Sequence, residues 1–250
     1  MGYTGKNNLL RRRKKKLNKV LTMHQKARNK SLPFYILISF LTIVYSCSSS
    51  KKIVDKAIMF NDEREKLTLE YLSDRYGLEQ AEPTIIPRMI VLHWTAIPTF
   101  EGSFDAFERP KLPVWRPDIK NMSPLNVSSH FLIDQDGTIY RLMPETMMGR
   151  HVIGLNHCAI GVENVGGTED TPLTEEQLKS NIWLVKYLAK KYDIEYVIGH
   201  YEYTNFEGHE LWLEKDDGYR TKKTDPGEKF MGDVRKATKN LNFKQVPLKQ

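Results

Sequence analysis

The stretch Arg88-Met89-Ile90-Val91-Leu92-His93 is an unbroken apolar run of strand length that ends in a histidine. A run without polar alternation suits a strand buried on both faces, as in a sheet covered on both sides. A second such run, Glu195-Tyr196-Val197-Ile198-Gly199, ends at His200. Two buried strands that each deliver a histidine at their end decide the reading of the whole chain, because open α/β sheets place their sites at strand ends.

Working outward, Ser129 to Ile133 and Thr138 to Met143 read as short strands around the turn Asp134-Gln135-Asp136-Gly137. That turn lacks the remaining ligands of a calcium loop. His157 to Asn164 reads as another strand. Thr174 to Asp193 is the strongest helix: Thr174 and Gln177 form a capping box, and Leu178, Ile182, Val185, Leu188 and Ala189 form an apolar stripe. Asn61 to Tyr76 is expected to be a helix capped by Asn61, with Leu67, Leu69 and Leu72 on one side and Gly77 as its stop. Residues 99–127 read as loop with a short helix near Phe104, 201–222 as a long polar loop, and Glu228 to Leu241 as a terminal helix. Strands interleaved with helices imply an α/β fold: a single domain with a central mixed β-sheet flanked by helices and a site at the strand ends.

The net charge of +7 suggests nucleic acid until it is mapped. Eleven Lys/Arg lie in residues 1–30, and the first acid is Asp55; the remainder holds 27 Lys/Arg against 31 Asp/Glu. The basicity therefore belongs to a leader, and nucleic acid is not an expected partner. Leu32 to Tyr45 is apolar and shorter than the roughly 20 residues of a membrane-spanning helix. It is followed by Ser46-Cys47 and a serine run. A basic segment, an apolar core and a small residue before a cysteine describe an export signal of lipoprotein type, with Cys47 as the lipidated residue. The start is Met1 or Met23. Residues 1–46 are thus expected to be leader and signal, 47–60 a tether, and 61–250 the folded domain. The expected location is the cell envelope, on the outer membrane or a periplasmic face, held by the N-terminal lipid. Cys158, the other of two cysteines, reads as a buried apolar filler, so no disulfide is expected.

His93, His200 and the later Asp225 supply two imidazoles and one carboxylate. With a fourth position left to water, this is a catalytic zinc pattern. Five segments carry a resemblance: Val91-Leu92-His93-Trp94-Thr95-Ala96, Ser129 to Tyr140, Ile160-Gly161-Val162-Glu163, Ile198-Gly199-His200 and Lys223-Thr224-Asp225-Pro226-Gly227. In this order, over residues 88–231, the chain resembles the type-2 N-acetylmuramoyl-L-alanine amidases, a family that includes phage lysozyme-type amidases and animal peptidoglycan-recognition proteins. The resemblance implies His93, His200 and Asp225 as Zn²⁺ ligands, Glu163 as general base on the metal-bound water, and Lys223 as the oxyanion stabiliser. Lys222 is the alternative for that last role. Substrate contacts are expected from Trp94 and His151. His130, read as a satisfied structural histidine lining the site, is counted beside them, and His157 either does the same or packs.

The implied activity is zinc-dependent hydrolysis of the amide between N-acetylmuramic acid and L-alanine in peptidoglycan or muropeptides, by a monomer. The alternative is a non-catalytic peptidoglycan-binding protein of the same fold. A zinc peptidase of the His-Glu-x-x-His type is excluded because that helix motif is missing. Between His200 and Asp225 lie 24 residues, rich in acids and in Tyr203, Phe206, Trp212 and Tyr219. They read either as a substrate lid or as a surface elaboration, and His209 within them is a rival metal ligand.

Overall fold

In a computed structural model, which describes residues 53–113 and 122–249, the chain forms a six-stranded sheet. Its elements are β1 (Ile53–Asp55), α1 (Asp62–Tyr71), β2 (Met89–Leu92), α2 (Phe100–Glu108), β3 (Phe131–Ile133), β4 (Ile139–Arg141), β5 (Ala159–Asn164), α3 (Glu175–Lys191), β6 (Tyr196–Gly199) and α4 (Glu228–Thr238). The strand order is β1-β4-β3-β5-β2-β6. Only the β3–β4 hairpin is antiparallel, so the sheet is mixed, and the α/β reading holds.

β2 has all four residues buried, as an apolar run in the sheet interior requires. Alternation sorts them between two layers. Ile90 and Leu92 pack towards α3 and α4, among Leu184, Val185, Leu188, Met231 and Val234. Met89 and Val91 face the other way, onto Val152, Leu155, Tyr203, Phe206 and Tyr219. That second layer corrects the reading of 201–222. His200–Phe206 is a 3-10 helix, and Tyr203, Phe206, Leu211 and Tyr219 are core, covering a sheet face that would otherwise lie bare. The segment is therefore neither a lid nor a surface elaboration. Its aromatic side chains bury apolar area in place of a helix.

The capping box of α3 is present, with Thr174 Oγ1 accepting from Gln177 N at 3.1 Å and Gln177 Oε1 accepting from Thr174 N at 2.9 Å. The expected stripe is rotated. Leu184 joins Val185 and Leu188 in the core, while Leu178, Ile182 and Ala189 are half-buried and Gln177 and Asn181 are fully buried. The reason lies in the strand ends, where buried oxygens take donors from the helix. Gln177 Nε2 donates to Ile133 O and Val165 O, at 3.1 and 2.9 Å, and Asn181 Nδ2 donates to Asn164 Oδ1 at 2.7 Å.

The expected tether is corrected over its second half. Ile53–Asp55 pairs in parallel with Ile139–Arg141, and Lys56 N and Ile58 N donate to Arg141 O and Leu142 O at 2.9 Å. β4 would otherwise present an unpaired edge, and a neighbouring strand satisfies it. The helix expected from Asn61 is capped as foreseen, Asn61 Oδ1 accepting from Arg64 N at 3.1 Å. Its last turn, Leu72–Tyr76, is a π-turn ended by Gly77 at φ 69°. Only glycine enters that left-handed region without strain. Leu67 and Leu72 are buried, whereas Leu69 is half-buried. Cys158 is buried as a filler, and burial pushes its thiol up to about 12. Cys47 and the leader lie outside the described residues.

Arg64 is the least expected core residue. It is fully buried, and its guanidinium donates to Met59 O, Phe107 O, Glu108 O and Arg109 O at 2.7–3.1 Å. Three of those acceptors are carbonyls at the C-terminus of α2, where a cation meets the negative end of the helix dipole. Replacing it with methionine keeps the volume and leaves the carbonyls without their donor. Arg64→Met is expected to lower unfolding free energy by about 2–4 kcal/mol, read as an earlier urea midpoint at unchanged slope.

Candidate metal centre and active site

Register brings the site together. Leu92 lies opposite Val162 of β5 and opposite Gly199 of β6. The next residue of each strand, His93, Glu163 and His200, therefore falls in one row at the C-terminal end of three parallel strands. Residues paired across a sheet share a face, here the face of Met89 and Val91. The main chain of His93 is fixed on both sides: its N donates to Val162 O at 2.8 Å, and its O accepts from Asn164 Nδ2 at 2.9 Å. Asp225 is drawn in by Tyr201 N, which donates to Asp225 O at 3.1 Å just after His200.

Three ligand-type atoms meet. His93 Nδ1 lies 2.9 Å from His200 Nδ1 and 3.2 Å from Asp225 Oδ2, and the last two are 3.0 Å apart. All three residues are buried. A tetrahedral ion bound at ~2.0–2.1 Å spaces its ligand atoms by roughly 3.3 Å, so the triangle fits a cation of that size. The electrostatics fit as well. Burial, with His93 next, lowers His200 to about 4, which leaves a neutral imidazole able to coordinate. Burial opposes the charge on Asp225, but His200 and His93 beside it prevail and hold its carboxyl far below the usual range. Two imidazoles and one carboxylate form a donor set for a divalent metal.

The triangle opens into a cleft of about 260 Å³ that Trp94, Arg150, His151, Glu163 and Lys223 also line. Glu163 is buried at the end of its strand, as expected of a proton-transferring acid. Lys223 is half-buried in the cleft wall, whereas Lys222 is exposed and lines none of it. Lys223 stands two residues before Asp225 on a segment pinned by Tyr203, whose hydroxyl donates to Thr221 O and accepts from Thr221 N, both at 2.8 Å. Trp94 is half-buried against Gly167, where an added Cβ would come within 2.5 Å of the indole.

Four histidines separate from the ligand role. His209 is not in the group: its Nδ1 accepts from Leu211 N at 3.1 Å, and its ring packs on Tyr196 and Phe206. His130 is the satisfied structural histidine expected, but it does not line the cleft, which corrects the substrate contact counted for it. It is wholly buried, Nδ1 accepts from Gly161 N at 2.9 Å, and Nε2 donates to Met147 O at 2.7 Å, so both nitrogens are taken. His157 packs edge-on against Tyr76 and lines no part of the cleft. His151 lines the cleft, but its ring nitrogens are turned to protein atoms: Nδ1 is 3.1 Å from His93 Nε2 and Nε2 is 3.1 Å from Ala159 O. Asn156 was missed entirely. Its Oδ1 accepts from the main-chain N–H of His151 and of Val152 at 2.8 Å, while its Nδ2 donates to Tyr76 Oη at 2.9 Å. A lone Asn in a loop carries no sequence signal for such a task.

The family model described as N-acetylmuramoyl-L-alanine amidase matches residues 81–228. The endolysin of Escherichia phage T7 is 35% identical over 88 residues, 33% of this chain and 58% of the phage protein. Peptidoglycan recognition protein 3 of Mus musculus is 29% identical over 93 residues, 35% of this chain and 26% of that protein. The chain thus spans little over half the length of the phage relative and about a quarter of the mouse one. Among solved structures, the N-acetylmuramoyl-L-alanine amidase LysC from Clostridium intestinale URNW matches with a TM-score of 0.46 and 24% identity, over 77% of this chain and 99% of that one.

The buried histidines make the metal-free fold acid-sensitive. Burial lowers His130 to about 4, and burial together with Arg88 does the same to His157. Both rings titrate near 6.5 when unfolded, so the unfolded chain binds more protons between those limits. The stability is complete above about pH 6.5 and is lost as pH falls towards about 4. Thermal unfolding in the presence of a chelator is expected to show a level Tm from pH 8 to 7 and a decline that starts near 6.5, above the carboxylate range. A level Tm down to pH 4.5 contradicts this.

Proposed function

The chain belongs to the N-acetylmuramoyl-L-alanine amidase family, and on that premise we propose that it is a zinc-dependent hydrolase of the amide joining N-acetylmuramic acid to L-alanine in peptidoglycan or its muropeptides. One observation carries the reading: His93, His200 and Asp225 converge to within 3.2 Å at the floor of a cleft whose wall holds both Glu163 and Lys223.

Amide hydrolysis needs a nucleophile at neutral pH, a group that takes and returns a proton, and positive charge where the carbonyl oxygen becomes negative. Bound at the three ligands, a zinc ion supplies Lewis acidity that activates water and polarises the carbonyl. Glu163, fixed by its strand beside His93, takes the proton of the attacking water and returns it to the departing amine of L-alanine. Lys223 offers its ammonium to the oxygen that gains charge. Trp94 presents an aromatic face at the cleft for a sugar ring to lie on. Buried walls exclude bulk water and strengthen each of these interactions.

The export-type leader supports a second part of the proposal, that the protein works at the cell envelope and is held there by a lipid on Cys47. Mass spectrometry of the membrane fraction tests it: a diacylglyceryl adduct is expected on the native chain and not on Cys47→Ser.

Incubating the protein with peptidoglycan is expected to release peptides with a free L-Ala amino terminus, and a chelator is expected to stop it. New reducing sugar ends would instead identify a glycosidase, and binding without release a recognition protein. Glu163→Ala is expected to keep its metal and lose turnover by ~10²–10⁴. Lys223→Ala is expected to lose ~10²–10³ in kcat, with Lys222→Ala near wild type. His200→Ala is expected to lose the metal, and His209→Ala to keep it by elemental analysis.

A further inference from the structure

The carbonyl of Ala159 has no proton to give, and it lies 3.1 Å from His151 Nε2. That nitrogen therefore carries hydrogen and donates. In the neutral ring the lone pair is then on Nδ1, which faces His93 Nε2 at 3.1 Å. His93 must donate there, so in its neutral ring the other nitrogen, Nδ1, is bare. Nδ1 is the atom directed at His200 Nδ1 and Asp225 Oδ2.

We propose that His151 is a positioning residue of the metal centre, holding His93 in the one tautomer whose Nδ1 lone pair faces the ion. The proposal rests on the amidase reading only through the metal that reading requires. A metal-bound histidine usually has its other nitrogen oriented by a carboxylate, a carbonyl or water. Here a second histidine relays the order from a backbone carbonyl, and the fold is arranged to hold it. Its ring lies across Gly161 of β5, where an added Cβ would stand 2.8 Å from it. It meets His93 edge-on, with ring centroids 5.1 Å apart. Its main chain is held by Asn156, and the Asn156 amide is oriented in turn by Tyr76 Oη. Tyr76 lies outside the family-matched residues. A segment beyond the family core thus braces the ring that orients a ligand.

The test compares zinc affinity, by competition with a chromogenic chelator, in the wild-type chain, His151→Leu and His151→Gln. Leucine removes the acceptor; glutamine restores an amide oxygen in its place. His151→Leu is expected to bind zinc ~10–100-fold more weakly, and His151→Gln to stay within about threefold of wild type. Long-range ¹⁵N NMR of the metal-free protein is expected to find His93 protonated on Nε2 in the wild type. Equal affinity of the wild-type and leucine proteins would overturn the role, as would a glutamine variant no better than leucine. Protonation of wild-type His93 on Nδ1 would do so even if neither variant folds. A wild-type protein that binds zinc yet releases no peptide from peptidoglycan would end the amidase reading and leave this role standing.

Discussion

The in-register pairing of β2 with β5 and β6 is the constraint on which the site depends. Because Leu92 stands opposite both Val162 and Gly199, two histidines and a glutamate from three separate strands come to one row and one face. The side-chain period of a strand is two, so a slip of one residue in either pairing would turn one functional group towards α3 and α4. Two buried apolar layers forbid that slip, since it would also carry Met89 and Val91 or Ile90 and Leu92 to the wrong side. The hydrophobic effect that folds the sheet is therefore what aligns the chemistry.

That alignment has an electrostatic consequence. Two ring nitrogens and a carboxylate oxygen are packed at 2.9–3.2 Å in a buried cluster. Burial disfavours the charge on the Asp225 carboxylate, and the two imidazoles beside it offset that cost. A metal bound at such a cluster would couple its affinity to folding, because the unfolded chain has no such site. Lys223 adds positive charge to the same wall and Glu163 negative. The cleft thus offers one acid and one cation beside the cluster.

The sequence made the strands, the capping box of α3 and the two strand-end histidines legible, because each depends on a local pattern: an apolar run, a four-residue spacing, a histidine at a strand end. Lys222 and Lys223 could not be told apart, since only the path of the chain after Thr221 decides which faces the cleft. The burial of Gln177 and Asn181 was hidden for a related reason. Polar residues on a helix read as solvent-facing unless the carbonyls they serve, at Ile133 and Val165, are known to lie opposite. Arg64, Asn156 and the edge strand at Ile53 answer needs created elsewhere in the chain, and no window around them records those needs. Trp212 and Tyr219 announced an aromatic segment but not its direction, and aromatic residues serve a core as readily as a ligand.

The 24 residues between His200 and Asp225 show why ligand spacing along a chain is a poor guide to ligand geometry. Closing a loop costs only about 0.6 kcal/mol for each doubling of its length, so a long link between two ligands is inexpensive where its ends are held. Here they are held. Tyr201 N bonds Asp225 O at one end, and the Tyr203 hydroxyl brackets Thr221 near the other. The chain between is anchored again by Arg75 on Glu214 at 2.6 Å and by Arg150 on Tyr219 at 3.2 Å. With its ends tied and its aromatics buried, the insertion ceases to be a loop in the entropic sense and becomes the second wall of the core. A segment of that length was free to grow between two ligands because their positions were fixed by the sheet and by local bonds, and never by the number of residues separating them.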